Sequence, residues 1–346
     1  MTAETTPMAK IRNLPDLLGV IPHLLGFHPA ESLVVVVLVD GRVELTARAD
    51  LPDLQPSGHV ELLIDRLLLR WPAARVWVVA YSSSESAGWG VLQRAETHLG
   101  DALAGEPLCV TGGWYRAGHS SGPRSRHDPS STQSAATATL HGLQARPSRA
   151  ELRHSVRADP SRALEAERAW AGAAERAQRL AARDRPAAMA SAVAAALAAP
   201  GSVPRDDLVW LAMLTRDPDA RDRALVAITG DNAETCVELW SRVVRACPQG
   251  VQGQPLALLG WAAWVSGDGA LQCICLEELE LLHESLPLQR LLDQLNQAIV
   301  PPSAWNQLRL ELVAALAPLD LSQVGADQGA GGVGQSHGEG ADDQVA

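Results

Sequence analysis

The hydrophobic pattern of the first residues predicts a helix followed by a β-hairpin. Apolar positions at helical spacing over residues 14–25 predict a short helix, and Gly26 is placed to end it. Residues 33–39 are apolar without alternation, which is typical of a strand buried on both faces. Asp40-Gly41 is a strong signal for a tight turn, and the alternation over residues 43–47 predicts a second, antiparallel strand.

The pattern then switches between helical and strand periods up to residue 115. Residues 60–71 and 91–103 have the spacing of amphipathic helices, whereas residues 76–80 and 108–111 form short apolar runs typical of strands. The order ββαβαβ predicts a mixed sheet with helices packed on it. We therefore predict an α/β domain over residues 1–115.

Beyond the sheet, the chain divides into three further segments. Residues 116–159 have loop composition without a hydrophobic period, so we predict a mobile loop and linker there. The helical period of residues 160–320 predicts an all-α domain, and its helices starting near 255 and 288 are spaced close to the tetratricopeptide period of about 34 residues. The glycine-rich, acidic residues 321–346 predict a disordered tail.

The amino-acid composition limits which metal, cofactor and membrane functions are expected. The five cysteines include no C-x-x-C pair, so we expect reduced thiols, mostly buried, and no metal. Neither a dinucleotide-binding glycine motif nor a phosphate-binding loop is found, and we predict no cofactor. The N-terminal residues lack the apolar region of a secretory signal, and the longest apolar run is far too short for a membrane span. We expect a cytoplasmic protein without membrane attachment.

The distribution of charged residues indicates which kinds of partner the protein can bind. The net charge of −11 disfavours nonspecific binding to nucleic acid. The arginine-rich segment 146–185 could still contact an acidic partner. The simpler interpretation is a solvated helical surface whose arginines pair with acids of the same chain.

Five polar residues should meet at the open end of the hairpin. His28, Glu31 and Ser32 precede or begin the first strand, and Arg48 and Asp50 end the second. Because the turn makes these strands antiparallel, Glu31 and Ser32 should lie opposite Asp50. Histidine, a carboxylate and a hydroxyl can perform acid–base or nucleophilic chemistry or bind a ligand. Alternatively, Glu31 and Arg48 form an ion pair that only holds the hairpin in place.

Two tryptophans indicate a different function. Trp261 and Trp264 are three residues apart on a predicted helix, and if both faced solvent they would mark a groove for a protein partner. The helical domain and the lack of catalytic motifs favour an interaction or regulatory protein. The alternative is an enzyme or small-molecule binder with its site near His28, Arg48 and Asp50.

Several stretches resemble a known family, the actinobacterial domain-of-unknown-function family 4192. The resemblance is carried by residues 15–18, 22–34, 46–52, 260–271 and 300–305. It implies no specific activity, because that family is defined by sequence. Members tend to carry cysteines in a stretch beginning with aromatic residues after the fourth strand. Here Trp114-Tyr115-Arg116 matches the start, but residues 118–129 contain no cysteine, so no site is carried over.

Overall fold

Six strands form a mixed sheet in the computed structural model, which describes residues 11–316 except 142, 144 and 284. In chain order the strands are β1 (Ser32–Val39), β2 (Arg42–Asp50), β3 (Arg75–Tyr81), β4 (Leu108–Thr111), β5 (Trp114–Ala117) and β6 (Ser125–Arg126). They lie side by side in the order β2-β1-β3-β4-β5-β6. β3 and β4 run parallel, and the other neighbouring pairs are antiparallel. The predicted mixed sheet is confirmed.

The predicted hairpin joins β1 to β2. Asp40 and Gly41 both have positive φ, as the tight two-residue turn between strands requires. The register places Ser32 opposite Asp50 and Val34 opposite Arg48. Since β2 pairs with β1 and ends the strand order, it is an edge strand of this sheet.

Helices α2 (His59–Arg70) and α3 (Glu85–Leu99) cover one face of the sheet. The core beneath them includes Leu33, Val35, Ile64 and Leu92, all with no exposed surface. Burial of such side chains stabilises the fold by about 1.5–3 kcal/mol each. Val34 and Val36, which alternate with these residues on β1, are equally buried on the opposite face, so this part of the valine-rich strand is covered on both sides as its sequence predicts.

The segment 116–159, expected to be a loop, contains regular structure. It includes the end of β5, the short β6, and helices α4 (Gln133–Leu140) and α5 (Arg149–Ser155). α4 packs closely on α1 (Leu14–Leu25), and a Cβ built on Gly19 would lie 2.0 Å from the Thr132 hydroxyl. Small and hydroxylated residues make this contact, so no hydrophobic period reveals the helix in the sequence.

The remainder of the described chain is largely helical, as predicted. Its helices are α6 (Ala163–Arg179), α7 (Arg185–Ala198), α8 (Arg205–Leu214), α9 (Pro218–Val226), α10 (Ala233–Ala246), α11 (Gly253–Ser266), α12 (Gly269–Leu281), α13 (Pro287–Gln297) and α14 (Trp305–Ala315). α11 is buried along almost its whole length and contacts α10, α12 and α13. The tetratricopeptide-like relation between these helices stays a prediction.

Trp261 and Trp264 do not face solvent, so the condition for a partner groove on them is not met. Their exposed fractions are 1% and 4%. They pack edge to face with each other and with Trp305, the ring centroids lying 5.2–6.4 Å apart. The Trp264 indole donates to the Val300 carbonyl at 3.2 Å and the Trp305 indole to the Ile228 carbonyl at 2.9 Å. Helical spacing alone could not reveal this, because α11 is apolar on every side.

Most arginines of the segment 146–185 pair with acids of the same chain. The ion pairs within and beyond the segment are Arg149–Glu277, Arg153–Glu277, Arg153–Glu278, Arg157–Glu278, Arg162–Glu165, Arg176–Asp207, Arg179–Glu175, Arg183–Asp184 and Arg185–Asp217. The first four link α5 and the turn after it to α12. The simpler interpretation of this segment therefore matches its contacts.

The described residues up to Asn306 belong to one compact unit, and those from Gln307 belong to a second. Domain borders at residues 115, 159 and 320 stay a prediction. The tail predicted to be disordered, 321–346, lies outside the described residues. A search of the described helices finds no candidate for a membrane span.

Candidate functional site

The open end of the hairpin brings together some, but not all, of the five polar residues singled out in the sequence. Ser32 and Asp50 are directly opposite each other, as predicted. Arg48 binds the Asp50 carboxylate through Nη2, and its guanidinium lies 5.8 Å from the Phe27 ring centroid. Arg48 and Asp50 therefore form the ion pair of this end of the sheet.

Glu31 takes a different partner from the one expected. Its carboxylate accepts hydrogen bonds from the Ser83 amide at 2.6 Å and from the Ser82 hydroxyl at 3.3 Å. These bonds, the Ser83 amide foremost, lower the pKa of Glu31. Its carbonyl accepts from the Leu51 amide at 2.9 Å, and its φ is positive. Glu31 thus ties the ends of three strands together, which is a structural role.

His28 lies apart from the Arg48–Asp50 pair in its hydrogen bonding. Its backbone amide donates to the Arg146 carbonyl at 3.0 Å. Partial burial, and secondarily the nearby His23, lowers the pKa of His28. The imidazole of His28 is therefore neutral near neutral pH. No carboxylate among the described residues binds it, as the orientation of a general base would require.

Arg48 also reaches a large cavity, which we call the β2 cavity. Its volume is about 660 Å³, and residues 43–48 of β2 line it consecutively. An unbroken run of strand residues places the cavity along the outer edge of β2, because side chains of both faces take part. The opposite wall comes from the α11–α12 turn at Gly267 and from residues 295–302 around the end of α13.

The walls of the β2 cavity are mainly apolar. Their apolar residues include Leu25, Leu45, Leu67, Trp71, Trp264 and Ile299. A volume in this range, with apolar walls and a few polar groups, is typical of small-molecule sites.

Three polar atoms in the wall of the β2 cavity are buried without a hydrogen-bond partner among the described residues. They are Thr46 Oγ1, Arg48 Nε and Gln272 Nε2. Gln272 is only 3% exposed, although it lies on an otherwise apolar stretch of α12. An unpartnered buried polar atom costs about 1–3 kcal/mol. Two of these residues are on β2 and one is on α12, and their presence in the lining of a single cavity makes it the candidate functional site.

Arg149 and Cys273 are further polar residues of the lining, which also includes Glu44, Arg66, Asn296 and Gln297. Arg149 binds the Glu277 carboxylate with both terminal nitrogens, and Arg153 binds the same carboxylate. Burial raises the pKa of the Cys273 thiol. Since the thiolate is the reactive form, Cys273 is a poor nucleophile near neutral pH.

A smaller cavity of about 380 Å³ lies beside the β4–β5 turn, lined in part by Trp114, His127 and Asp128. Burial lowers the pKa of His127. Across the part of the chain that the structure describes, no group of three or more His, Cys, Asp or Glu residues could hold a metal ion.

A comparison with known protein families shows the family to which this chain belongs. Residues 15–303 match the model described as "Domain of unknown function (DUF4192)". That stretch covers well over half of the chain. The chain belongs to the DUF4192 family. No curated protein matches the chain, and no solved structure does.

The DUF4192 match contains both walls of the β2 cavity. The lining begins at Leu24 and ends at Pro302, within the matched residues 15–303. The cavity is thus built by the DUF4192 region itself and not by an appended segment.

Sequence reasoning on this DUF4192 chain found Arg48 but missed the rest of the polar lining. Thr46 lies two residues before Arg48 and shares its face of β2, so strand alternation could have identified it. Gln272 is a polar residue at a core position of α12, which is a weaker signal. Arg149 begins a helix in the segment that the sequence pattern assigned to a loop, and nothing in the pattern revealed it.

Proposed function

We propose that this protein binds a small molecule in the β2 cavity. The observation that carries the proposal is the set of three buried, unpartnered polar atoms on Thr46, Arg48 and Gln272, all residues that line one mainly apolar cavity. Apolar walls supply affinity, whereas a few fixed polar groups supply orientation and specificity. A ligand that satisfies these atoms recovers the free energy that their desolvation costs.

Binding fits the lining better than catalysis does. The lining contains no histidine, its carboxylate is that of the exposed Glu44, and its thiol, Cys273, has a raised pKa. A nucleophile with an adjacent base, which covalent catalysis needs, is therefore not among the lining residues. Asp50 lies behind Arg48 and orients it.

The test is the recovery of a bound metabolite. We expect the purified protein, extracted with organic solvent, to release a compound in near-stoichiometric amount that mass spectrometry detects. Ala270 lines the β2 cavity, so Ala270→Trp should place a bulky indole in it and strongly reduce the release. Ala171→Trp, at an exposed position of α6, is the matched control and should retain the compound.

Either of two results would contradict the proposal. One is a folded wild-type protein that carries no compound and gains no thermal stability from a metabolite library. The other is a compound that Ala270→Trp retains in full, since this would place the bound molecule elsewhere.

An interaction or regulatory function of the helical domain is a second proposal. The tryptophan surface does not support it, but α12 and α13 expose Leu281 by 62% and Leu291 by 42%. In a pull-down, a stoichiometric partner that is lost from a Leu281→Ser, Leu291→Ser variant would favour this function. Retention of the partner by that variant would argue against these helices as the binding surface.

A further inference from the structure

Resting on the proposed function, we infer that the ligand is an organic anion: a carboxylate or phosphate monoester on an apolar body. The inference comes from the charge and hydrogen-bonding character of the β2 cavity. If this inference failed, the proposed function would still hold for a neutral ligand.

The charge of the lining is opposite to that of the chain. Three arginines, Arg48, Arg66 and Arg149, line the β2 cavity together with one acid, Glu44. The chain as a whole carries a net charge of −11. Asp50 and Glu277 pair with Arg48 and Arg149, so the excess of basic groups is modest. It is still opposite in sign to the charge of the chain and favours an anion at this cavity over the general surface.

The unpartnered atoms are mostly donors. Arg48 Nε carries a hydrogen and can only donate, and the Gln272 amide nitrogen also donates. The Thr46 hydroxyl can donate or accept. A ligand that satisfies all three must therefore present acceptor oxygens, and an anionic head group presents several.

Arg48 is held ready for this contact. Asp50 and the Ala30 carbonyl both engage its Nη2, and Phe27 lies beneath the guanidinium. The side chain of Arg48 is 13% exposed, whereas that of Asp50 is 47% exposed. Because the acid is the more solvated partner, it orients Arg48 at small cost, and the Nε hydrogen has no partner among the described residues.

The other two arginines have lesser roles. Both terminal nitrogens of Arg149 are occupied by Glu277, which compensates its charge locally. Arg66 is exposed at the rim, where it favours entry of an anion more than it holds one. The head group is thus assigned to Arg48, with Thr46 on the same face of β2 and Gln272 contributed to the lining by α12.

The apolar remainder of the lining accommodates the body of the ligand. α2 contributes Leu67, Trp71 directly follows that helix, and Leu295, Ile299 and Val300 come from the opposite wall. The same wall contains two amides, of which Asn296 donates to Cys273 Sγ and Gln297 donates to the Asp293 carboxylate. An amphiphilic anion therefore places its head group at Arg48 and its body against the apolar side chains.

Isothermal titration calorimetry with four decyl compounds tests the ligand class. The probes are decanoate, decyl phosphate, decanol and decyltrimethylammonium, each below its micelle concentration. We expect at least one of the two anions to bind about tenfold or more tightly than decanol, because a charge-assisted hydrogen bond is lost with the alcohol. The cation should bind most weakly. The relative affinity of the two anions identifies the head group.

Variants connect the preference to Arg48. Arg48→Met should reduce the preference for the anion over decanol by about tenfold while retaining decanol binding. Arg42→Met is the control, because Arg42 is an exposed residue of the same strand outside the lining. Circular dichroism confirms that both variants fold.

The outcomes separate this inference from the proposed function. Equal affinity for anions and decanol, strongly reduced by Ala270→Trp, would overturn the anionic class and uphold a small-molecule cavity. An anion preference that Arg48→Met leaves unchanged would overturn the assignment of the head group. Failure of every probe, in a protein that also releases no compound on extraction, would overturn both.

Discussion

At the scale of single residues, the decisive feature is a hydroxyl without a partner. Thr46 Oγ1 is buried in the β2 cavity and has no hydrogen-bond partner among the described residues. Ser134 shows the opposite case, because its buried hydroxyl donates to the Asp16 carbonyl at 2.6 Å. Under the proposed function, the Thr46 hydroxyl finds its partner in a ligand instead of in the fold.

Thr46→Val should leave the free energy of unfolding of the ligand-free protein unchanged or raise it by about 1 kcal/mol, because it removes a desolvated, unpaired group. Ser134→Ala, the matched control, should lower it by about 1–3 kcal/mol, since it leaves a buried carbonyl without its donor. Urea denaturation measures both. A comparable loss in the two variants would show that the Thr46 hydroxyl stabilises the fold.

Residue patterns also show how far the sequence can lead. Arg48 and Asp50 could be identified because the Asp40-Gly41 turn fixes the register of the hairpin, and the observed pairing of Ser32 with Asp50 confirms it. The partner of Glu31 could not be foreseen. The Glu31 carboxylate accepts hydrogen bonds from the Ser82 hydroxyl and the Ser83 amide. These two residues follow β3 and lie near Glu31 only because β3 pairs with β1.

At the scale of elements, the predictable helices are those with long apolar side chains. α2 buries Val60, Ile64 and Leu67 at helical spacing, and the sequence predicts it without ambiguity. α4 packs through small residues and hydroxyls, so its sequence has the composition of a loop. Close packing of small residues gives the contact energy of a core without its hydrophobic period.

α12 borders the β2 cavity and begins with a buried cap. Asp268 accepts from the Leu271 amide at 2.9 Å, and burial raises the pKa of its carboxyl. A raised pKa in the folded state means that stability falls as the pH rises from the unfolded to the folded pKa. Asp268→Ala removes the hydrogen bond to the Leu271 amide and should lower the free energy of unfolding by about 1 kcal/mol.

Asp268→Asn provides the control for that prediction, because asparagine caps equally well and carries no charge to desolvate. At neutral pH this variant should be at least as stable as the wild type in thermal unfolding. If asparagine destabilised as much as alanine, the carboxylate charge would be the stabilising feature and the direction of the pKa shift would be wrong.

At the scale of the whole molecule, a cluster of ion pairs connects α5 to α12. Glu277 binds Arg149 and Arg153, and Glu278 binds Arg153 and Arg157. Arg149 also lines the β2 cavity, so this cluster fixes one of its walls. Burial by itself raises the pKa of Glu277, but the two arginines lower it below its ordinary value of 4.5.

The pKa of Glu277 is lower in the folded state than in the unfolded state. Its contribution to the free energy of unfolding is therefore present above about pH 4.5 and is lost as the pH falls through the folded-state pKa. Glu277→Gln should lower the free energy of unfolding at pH 7 by about 1 kcal/mol, a value discounted for its partial exposure. The difference from wild type should vanish in acid. Thermal unfolding against pH measures this.

The control is Glu175→Gln, which breaks the exposed pair with Arg179. Its effect should stay below about 0.5 kcal/mol at every pH. Equal effects of the two variants would mean that the α5–α12 cluster is no stronger than a surface pair.

The β2 cavity could not be predicted at this scale. One wall is at residues 43–48 and the other at residues 264–302, and no local pattern reports a contact across such a distance in sequence. The buried tryptophans of α11 illustrate the same limit, since their environment depends on Trp305 and on helices far from them in the chain.

The separation of these walls has a consequence during synthesis. Roughly 250 residues lie between the middle of β2 and Pro302, and a ribosome adds about 5–20 residues per second. β2 therefore emerges and folds onto β1 tens of seconds before the chain that faces its outer edge exists. For that interval a nascent sheet carries an open edge, the feature most prone to pairing with another chain. Glu44 and Arg42 are exposed on this strand, and charged side chains at a sheet edge disfavour such pairing.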